Sequence, residues 1–298
     1  MGKATVIAWC ESTFNPWIGC TKIGPGCDHC YAEFQDSRKR WDGGKTHWGA
    51  GVPRYRTSHS NWAQPLAWNR AAEKAGKRHR VFCASLADVF DNEVPEEWRT
   101  DLWFLIRATP HLQWLLVTKR VGNAIGMVPM AWLGANGFPP NVRLLITVVD
   151  QEEADRDIPK LLALTCKNGI SYEPALGPID WWQIPVPGTH GDMQDMREIG
   201  WIIVGGESGS KARPFNLAWA RSTIAQCKAA GVPVFCKQLG SCAISEDDGI
   251  APSYFDSCGD EIFLPRGKRS MDWRNLKDRA GADPAEWPED LRVQQFPT

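Results

Sequence analysis

The sequence lacks an excess of charge of either sign. Its 34 Lys and Arg stand against 35 Asp and Glu, for a formal net charge of −1. The chain as a whole is therefore not a polycation that coats nucleic acid. It also lacks a long hydrophobic run. Its start, Met1-Gly2-Lys3-Ala4-Thr5, leads into only a short apolar stretch, so neither a signal-peptide core nor a bilayer-crossing segment is expected. A disordered composition is absent too, because hydrophobic residues make up 43% and charged residues 23%. These absences exclude a secreted disulfide mini-protein, a membrane span and a disordered tail, and a cytoplasmic location is expected. The 298 residues suffice for one large barrel-type domain or two ordinary ones.

Two residue types are abundant: sixteen Trp and ten Cys. With no export signal, clustered Cys point to metal or redox chemistry rather than disulfides. Seven are scattered (Cys10, Cys83, Cys166, Cys227, Cys236, Cys242 and Cys258) and read as small buried hydrophobes. The other three, Cys20, Cys27 and Cys30, fall within eleven residues.

Short apolar runs ending in polar residues recur along the chain. They predict strands at about 81–85, 113–118, 142–148, 169–173, 200–205 and 232–237, with a further first strand at about 4–9. From the second strand onward the spacing is roughly thirty residues, the length of a βαβ unit. Near-continuous apolar strands indicate burial on both faces, as in a parallel sheet. Helices are predicted over Glu96–Ile106, Asp150–Leu164 and Asn216–Cys227, the last ending near Gly231. The fold class expected is α/β: a full or partial TIM-like (β/α) barrel with parallel strands, and a doubly wound sheet is the alternative. The barrel domain is expected over 1–240 and an irregular extension packed on it over 241–298. In a barrel, functional residues sit at strand C-termini. Here those ends carry Ser85, Asp88, Thr118, Lys119, Thr147, Glu173, Glu207, Lys237 and Gln238.

Residues 38–80 break the period. They hold eleven Lys or Arg against Asp42 and Glu73, together with Trp41, Trp48, Tyr55, Trp62 and Trp68. Basic residues interleaved with aromatics suit a phosphate backbone and stacked bases. They equally suit a solvated insertion whose Trp residues pack onto the barrel.

The most specific stretch runs from Trp17 to Glu33, where Cys20, Cys27 and Cys30 have C-x6-C-x2-C spacing. Gly24, Pro25 and Gly26 permit a tight loop that gathers the thiols. Soft thiolates suit an iron–sulfur cluster or zinc. A structural zinc normally closes four ligands, and three Cys leave one position open. His29 and Cys10 are the candidates for a fourth zinc ligand.

At this loop the sequence resembles radical SAM enzymes, in which three Cys after the first barrel strand hold a [4Fe-4S] cluster whose open iron chelates S-adenosylmethionine (SAM). The usual first gap is three residues, and here it is six. His29 takes the place of the usual aromatic before the last Cys. The sequence is more closely similar to an uncharacterised phage and bacterial family resembling a divergent radical SAM branch. The matching segments are Glu11–Lys22, Cys27–Glu33, Ser85–Phe90, Thr118–Arg120, Glu173-Pro174, Gly205–Gly209 and Lys237-Gln238.

The resemblance implies that Cys20, Cys27 and Cys30 bind the cluster. It implies that an external one-electron reductant of flavodoxin or ferredoxin type drives SAM cleavage to methionine and a 5′-deoxyadenosyl radical, which abstracts hydrogen from substrate. His29, Tyr31, Ser85, Thr118, Thr147, Gly205, Gly206 and Glu207 are then candidates for cofactor contact, and Glu173, Glu207, Lys119 and Lys237 for catalytic work. The substrate expected is a nucleotide or a nucleic-acid base in DNA, for example an amino-acid-modified thymidine that is isomerised. If the chain is phage-encoded, its location is the host cytoplasm. Two further readings stay open: a zinc protein that binds nucleic acid without catalysis, and a barrel hydrolase using Asp88, Glu173 and Glu207 around a divalent ion.

Overall fold

The computed structural model describes residues 5–38, 41–245 and 276–297. Along the chain its strands are β1 (Ser12–Thr13), β2 (Trp17–Ile18), β3 (Tyr55–Arg56), β4 (His79–Cys83), β5 (Leu112–Thr118), β6 (Val142–Thr147), β7 (Lys167–Tyr172), β8 (Ile202–Gly205), β9 (Phe215–Asn216), β10 (Val234–Gln238) and β11 (Ala243–Ile244). The helices are α1 (Tyr31–Ser37), α2 (His59–Trp62), α3 (Gln64–Ala75), α4 (Glu96–Arg107), α5 (Val121–Met127), α6 (Gln151–Leu162) and α7 (Leu217–Ala230).

Seven strands make one parallel sheet in the order β1-β4-β5-β6-β7-β8-β10. The chain is thus an α/β protein in which α4, α5, α6 and α7 return the chain between neighbouring strands, while the connection from β7 to β8 carries only a 3₁₀ turn at Met196–Glu198. β4, β5 and β6 lie side by side with Val81 opposite Trp114 and Trp114 opposite Val142. Every residue of β6 is buried, as a strand covered on both faces requires. Among the described residues, β1 and β10 end the strand order and do not pair with each other.

The six later strands fall within a few residues of the periodic apolar runs, and α4, α6 and α7 fall where helices were expected. The first strand differs. No strand covers the described part of 4–9. Val6 is fully exposed, so its β-propensity finds no neighbour to pack against. The edge strand is instead Ser12–Thr13, paired with Val81 and Phe82. Next to it, Glu11 accepts from the Arg80 backbone N–H and guanidinium.

The chain divides into two compact units. One takes the residues up to Thr147 together with Asp157–Ile170; the other takes Val148–Arg156 and the chain from Ser171 onward. The first unit buries Phe14, Trp17, Leu102, Ile106 and Trp114, and the second buries Tyr172, Trp181, Trp201, Phe215, Phe235 and Trp287. Much of the tryptophan excess is therefore core. In the second unit the described end of the chain runs along β10: the Cys236 N–H donates to Val293 O and the Gln295 N–H to Val234 O, at 2.8 and 2.9 Å. The rest of the expected 241–298 extension, Cys258 included, lies largely outside the described residues. Among the described residues no helix is long and apolar enough to cross a membrane.

Candidate functional site

In the first unit, Cys20, Cys27 and Cys30 line one cavity of about 140 Å³ at the C-terminal ends of β4, β5 and β6. Local sequence places each thiol. Gly24 is fully extended, and Pro25–Cys27 form a single 3₁₀ turn closed by the Cys27 N–H to Gly24 O. Cys30 is the residue before α1. The backbone N–H groups of Ala32 and Glu33 face its sulfur and hold its thiol down, against the larger upward push of burial. N–H groups at a helix start stabilise a thiolate in this way. Cys20 is pushed well up by burial and by Asp88, with Arg120 opposing. None of the three is in a disulfide.

The segment expected to stand apart as a basic insertion supplies the backing of this loop. Gly19 has φ +111°, and a Cβ there would lie 2.2 Å from His47 O; only glycine lets the two backbones approach so closely. The Arg54 side chain is wholly buried and paired with Asp91 at 2.8 Å. It also donates to the carbonyls of His47, Gly49 and Val52 and to Thr21 Oγ1. Arg120 donates to Thr21 O at 2.7 Å. Two guanidinium groups therefore clamp the residue that follows Cys20. Trp48, from the same insertion, lines the cavity. Of the other insertion cations, Arg56 pairs with Asp101 and lies over Trp62, Arg80 pairs with Glu11, and Lys45 pairs with Asp42.

Tyr31, Ser85, Thr118, Lys119 and Thr147 join the thiols in the cavity wall. Tyr31 donates its hydroxyl to Ser85 O. Asp88 organises the strand ends. It accepts from Thr118 Oγ1 at 2.7 Å, from the Phe90 N–H at 2.9 Å and from the Lys119 N–H at 3.0 Å. The Lys119 charge acts on Cys30, where it favours the thiolate. His29 is exposed and does not line the cavity.

The second unit holds the remaining sequence candidates. Lys237 Nζ lies 2.8 Å from Glu173 Oε1. That buried oxygen accepts no hydrogen bond among the described residues. Gly205 leaves room for Glu173, since a Cβ there would sit 3.1 Å from the same oxygen. Gly206 admits the Leu239 carbonyl, which would be 2.6 Å from an added Cβ, and its own carbonyl accepts from Gln238 Nε2. Glu207 is gripped by Arg213, through both the guanidinium and the backbone N–H. Close backbone approach thus accounts for both glycines, and an internal ion pair engages the acid beside them.

The donor set in the first unit is soft. It offers three thiols, no imidazole, and one carboxylate, Asp88, whose oxygens are already engaged. Such a set fits an iron–sulfur cluster or another thiophilic metal. Among the described residues, no three His, Cys, Asp or Glu side chains are drawn together into a ready-made ion site. Burial pushes the thiols of Cys20 and Cys30 up, and closing of the three cysteines round a metal would be coupled to proton loss. Trp48, Arg54 and Arg120 are parts of the site that sequence reasoning missed. Arg54 was visible only as one cation among eleven, and nothing in the sequence marks it as buried.

Fold and site together define an α/β protein with a three-thiol cavity at the C-terminal ends of parallel strands. The chain belongs to the family described as Protein of unknown function (DUF5131), whose profile matches residues 4–283. No curated protein and no solved structure matches it.

Proposed function

We propose that the chain is a radical SAM enzyme built on a partial TIM-like barrel, with Cys20, Cys27 and Cys30 as ligands of a [4Fe-4S] cluster. The observation that carries this reading is the convergence of three undisulfided thiols, and of no imidazole, on one cavity at the strand C-termini. Bound there, such a cluster with one open iron supplies the electron that splits SAM into methionine and a radical able to take hydrogen from a C–H bond. The chain's own groups do the rest. The Ala32 and Glu33 N–H groups stabilise the Cys30 sulfur, Arg54 and Arg120 fix the loop through Thr21, and Lys119 offers a cation beside the thiols. The cavity, about 140 Å³, is smaller than the few hundred Å³ that enclose a whole ligand. It suits the inorganic group alone, with SAM and substrate over its mouth near Tyr31, Ser85 and Thr147.

We further propose a nucleotide or nucleic-acid base as substrate, such as an amino-acid-modified thymidine that is rearranged. The support is the sequence resemblance and the exposed basic residues of the insertion that form no ion pair among the described residues. Arg70, Lys74 and Lys77 are exposed, whereas Arg54 and Arg56 are consumed internally. The hydrolase reading is weaker, because Asp88, Glu173 and Glu207 each already engage donors or cations of their own unit.

Anaerobically purified or reconstituted protein should contain about four iron and four sulfide per chain. It should release methionine and 5′-deoxyadenosine when reduced with SAM, and Cys27→Ala should lose both properties. Zinc in place of iron, or full iron content in Cys27→Ala, overturns the reading. Failure of every nucleoside or modified DNA to stimulate 5′-deoxyadenosine release removes the substrate class only.

A further inference from the structure

A second cavity in the first unit is separate from the thiol site. It has a volume of about 1000 Å³ and is lined by Arg78, Pro110 and Pro139–Asn141, which precede β4, β5 and β6, and by one face of α4. Because those strands are parallel, it lies at their N-terminal ends, whereas the thiols lie at their C-terminal ends. The α4 face runs from Glu96 through Thr100, Trp103 and Phe104 to Arg107, about 16 Å along the helix axis. Trp103, Trp132 and Phe138 form a continuous aromatic wall, with ring centroids 4.9 and 5.1 Å apart in succession. Phe104 is 61% exposed and sits one turn from Arg107, on the same helix face.

Cations gather at this end. Arg78 and Arg107 are exposed and form no ion pair among the described residues. Arg99 also lines the cavity, but its guanidinium is spent on the carbonyls of Val89, Asp91 and Val94. Lys167, at the start of β7, is held below the usual lysine range by partial burial and then by the charges of Arg78 and Arg143. Arg143 is buried, donates to Asn168 O, and keeps a buried Nε with no acceptor. Like charges left unpaired at one place repel, and an anion relieves the repulsion.

We propose that this cavity is a second ligand site that takes a nucleoside diphosphate. Its base lies against Phe104, and its phosphates are held by Arg78 and Arg107 in the positive field of Lys167 and Arg143. The volume falls in the range of small-molecule sites, an exposed ring is the usual platform for a planar base, and guanidinium groups match phosphate in a forked geometry. The inference does not rest on the radical SAM reading.

Isothermal titration of the full chain with ADP, in the absence of SAM, tests it. One saturable site is expected, weakened at least ~10-fold by Arg78→Ala and by Arg107→Ala. Phe104→Ala should weaken ADP but leave inorganic pyrophosphate unchanged, and Cys27→Ala should bind ADP as the wild type does. All three cavity positions are exposed, and circular dichroism verifies that the variants fold. Absence of saturable ADP binding overturns the proposal, as does equal affinity in the Arg variants. Unchanged ADP affinity in Phe104→Ala, or loss of binding in Cys27→Ala, overturns it as well.

Discussion

Arg54 shows what a single side chain carries in this molecule. Its charge is countered by Asp91, itself 1% exposed, and its remaining N–H groups satisfy three carbonyls and a hydroxyl. Replacing it leaves the buried Asp91 carboxylate with only the Glu93 N–H and a more distant Arg120 at 3.9 Å, and several carbonyls without that donor. Arg54→Met is therefore expected to cost about 3–5 kcal/mol, read as a lowered urea midpoint. Arg54→Lys should recover only part of this, since one ammonium cannot reach acceptors spread on two sides. Counting charges along residues 38–80 made Arg54 look like a free cation. What the sequence does not record is which carboxylate, thirty-seven residues on, the side chain meets. Glu11 supplies a pH dependence. Burial raises its carboxyl, but the Arg80 hydrogen bonds and charge outweigh this and hold it below its usual value of 4.5. A carboxyl lowered on folding contributes stability above pH 4.5, and that contribution disappears as pH falls through the folded value. The difference in urea midpoint between the wild type and Arg80→Gln should thus be largest near neutrality and shrink as pH falls below 4.5. The pair is partly exposed, and the whole effect should be ~1 kcal/mol or less.

At the scale of elements, the repeat of buried strand and returning helix was legible because each strand is apolar on both faces and each helix carries its own signals. α7 is the clearest case. The Asn216 side chain accepts from the Ala218 N–H at its start, and Gly231 ends it in the left-handed region at φ 71°. Asn216→Ala should lower stability by about 1 kcal/mol, measured as a fall in thermal midpoint. The short elements were not legible. β1 has two residues, and its place is set by Glu11, Ser12 and His79 contacts across sixty-seven or more positions. α3, within the insertion, was hidden by the attention its charges drew, although Pro65 at its start and Gly76 at its end mark a helix.

At the scale of the whole molecule, the three cysteines were legible as a group, because spacing and loop glycines are local facts. Ser85, Asp88, Lys119 and Thr147 beside them were legible as strand C-termini, whereas Trp48, Arg54 and Arg120 were not, since long-range packing alone brings them to the loop. A ligand that binds only the folded chain raises its stability with the logarithm of its concentration relative to the dissociation constant, by roughly 4 kcal/mol at a thousand times that constant. Anaerobic loading with iron and sulfide should therefore raise the thermal midpoint of the wild type by several degrees, and chelation should return it. Cys27→Ala should show neither change. One consequence follows from the way the insertion backs the loop. The sulfurs emerge from the ribosome first, Arg54 some two dozen residues later, and Asp91 later still. Until Arg54, Asp91 and Arg120 have all been made, the nascent loop lacks the groups that brace it. If the three cysteines hold a metal as proposed, loading after the chain has folded is the order of events that this arrangement favours.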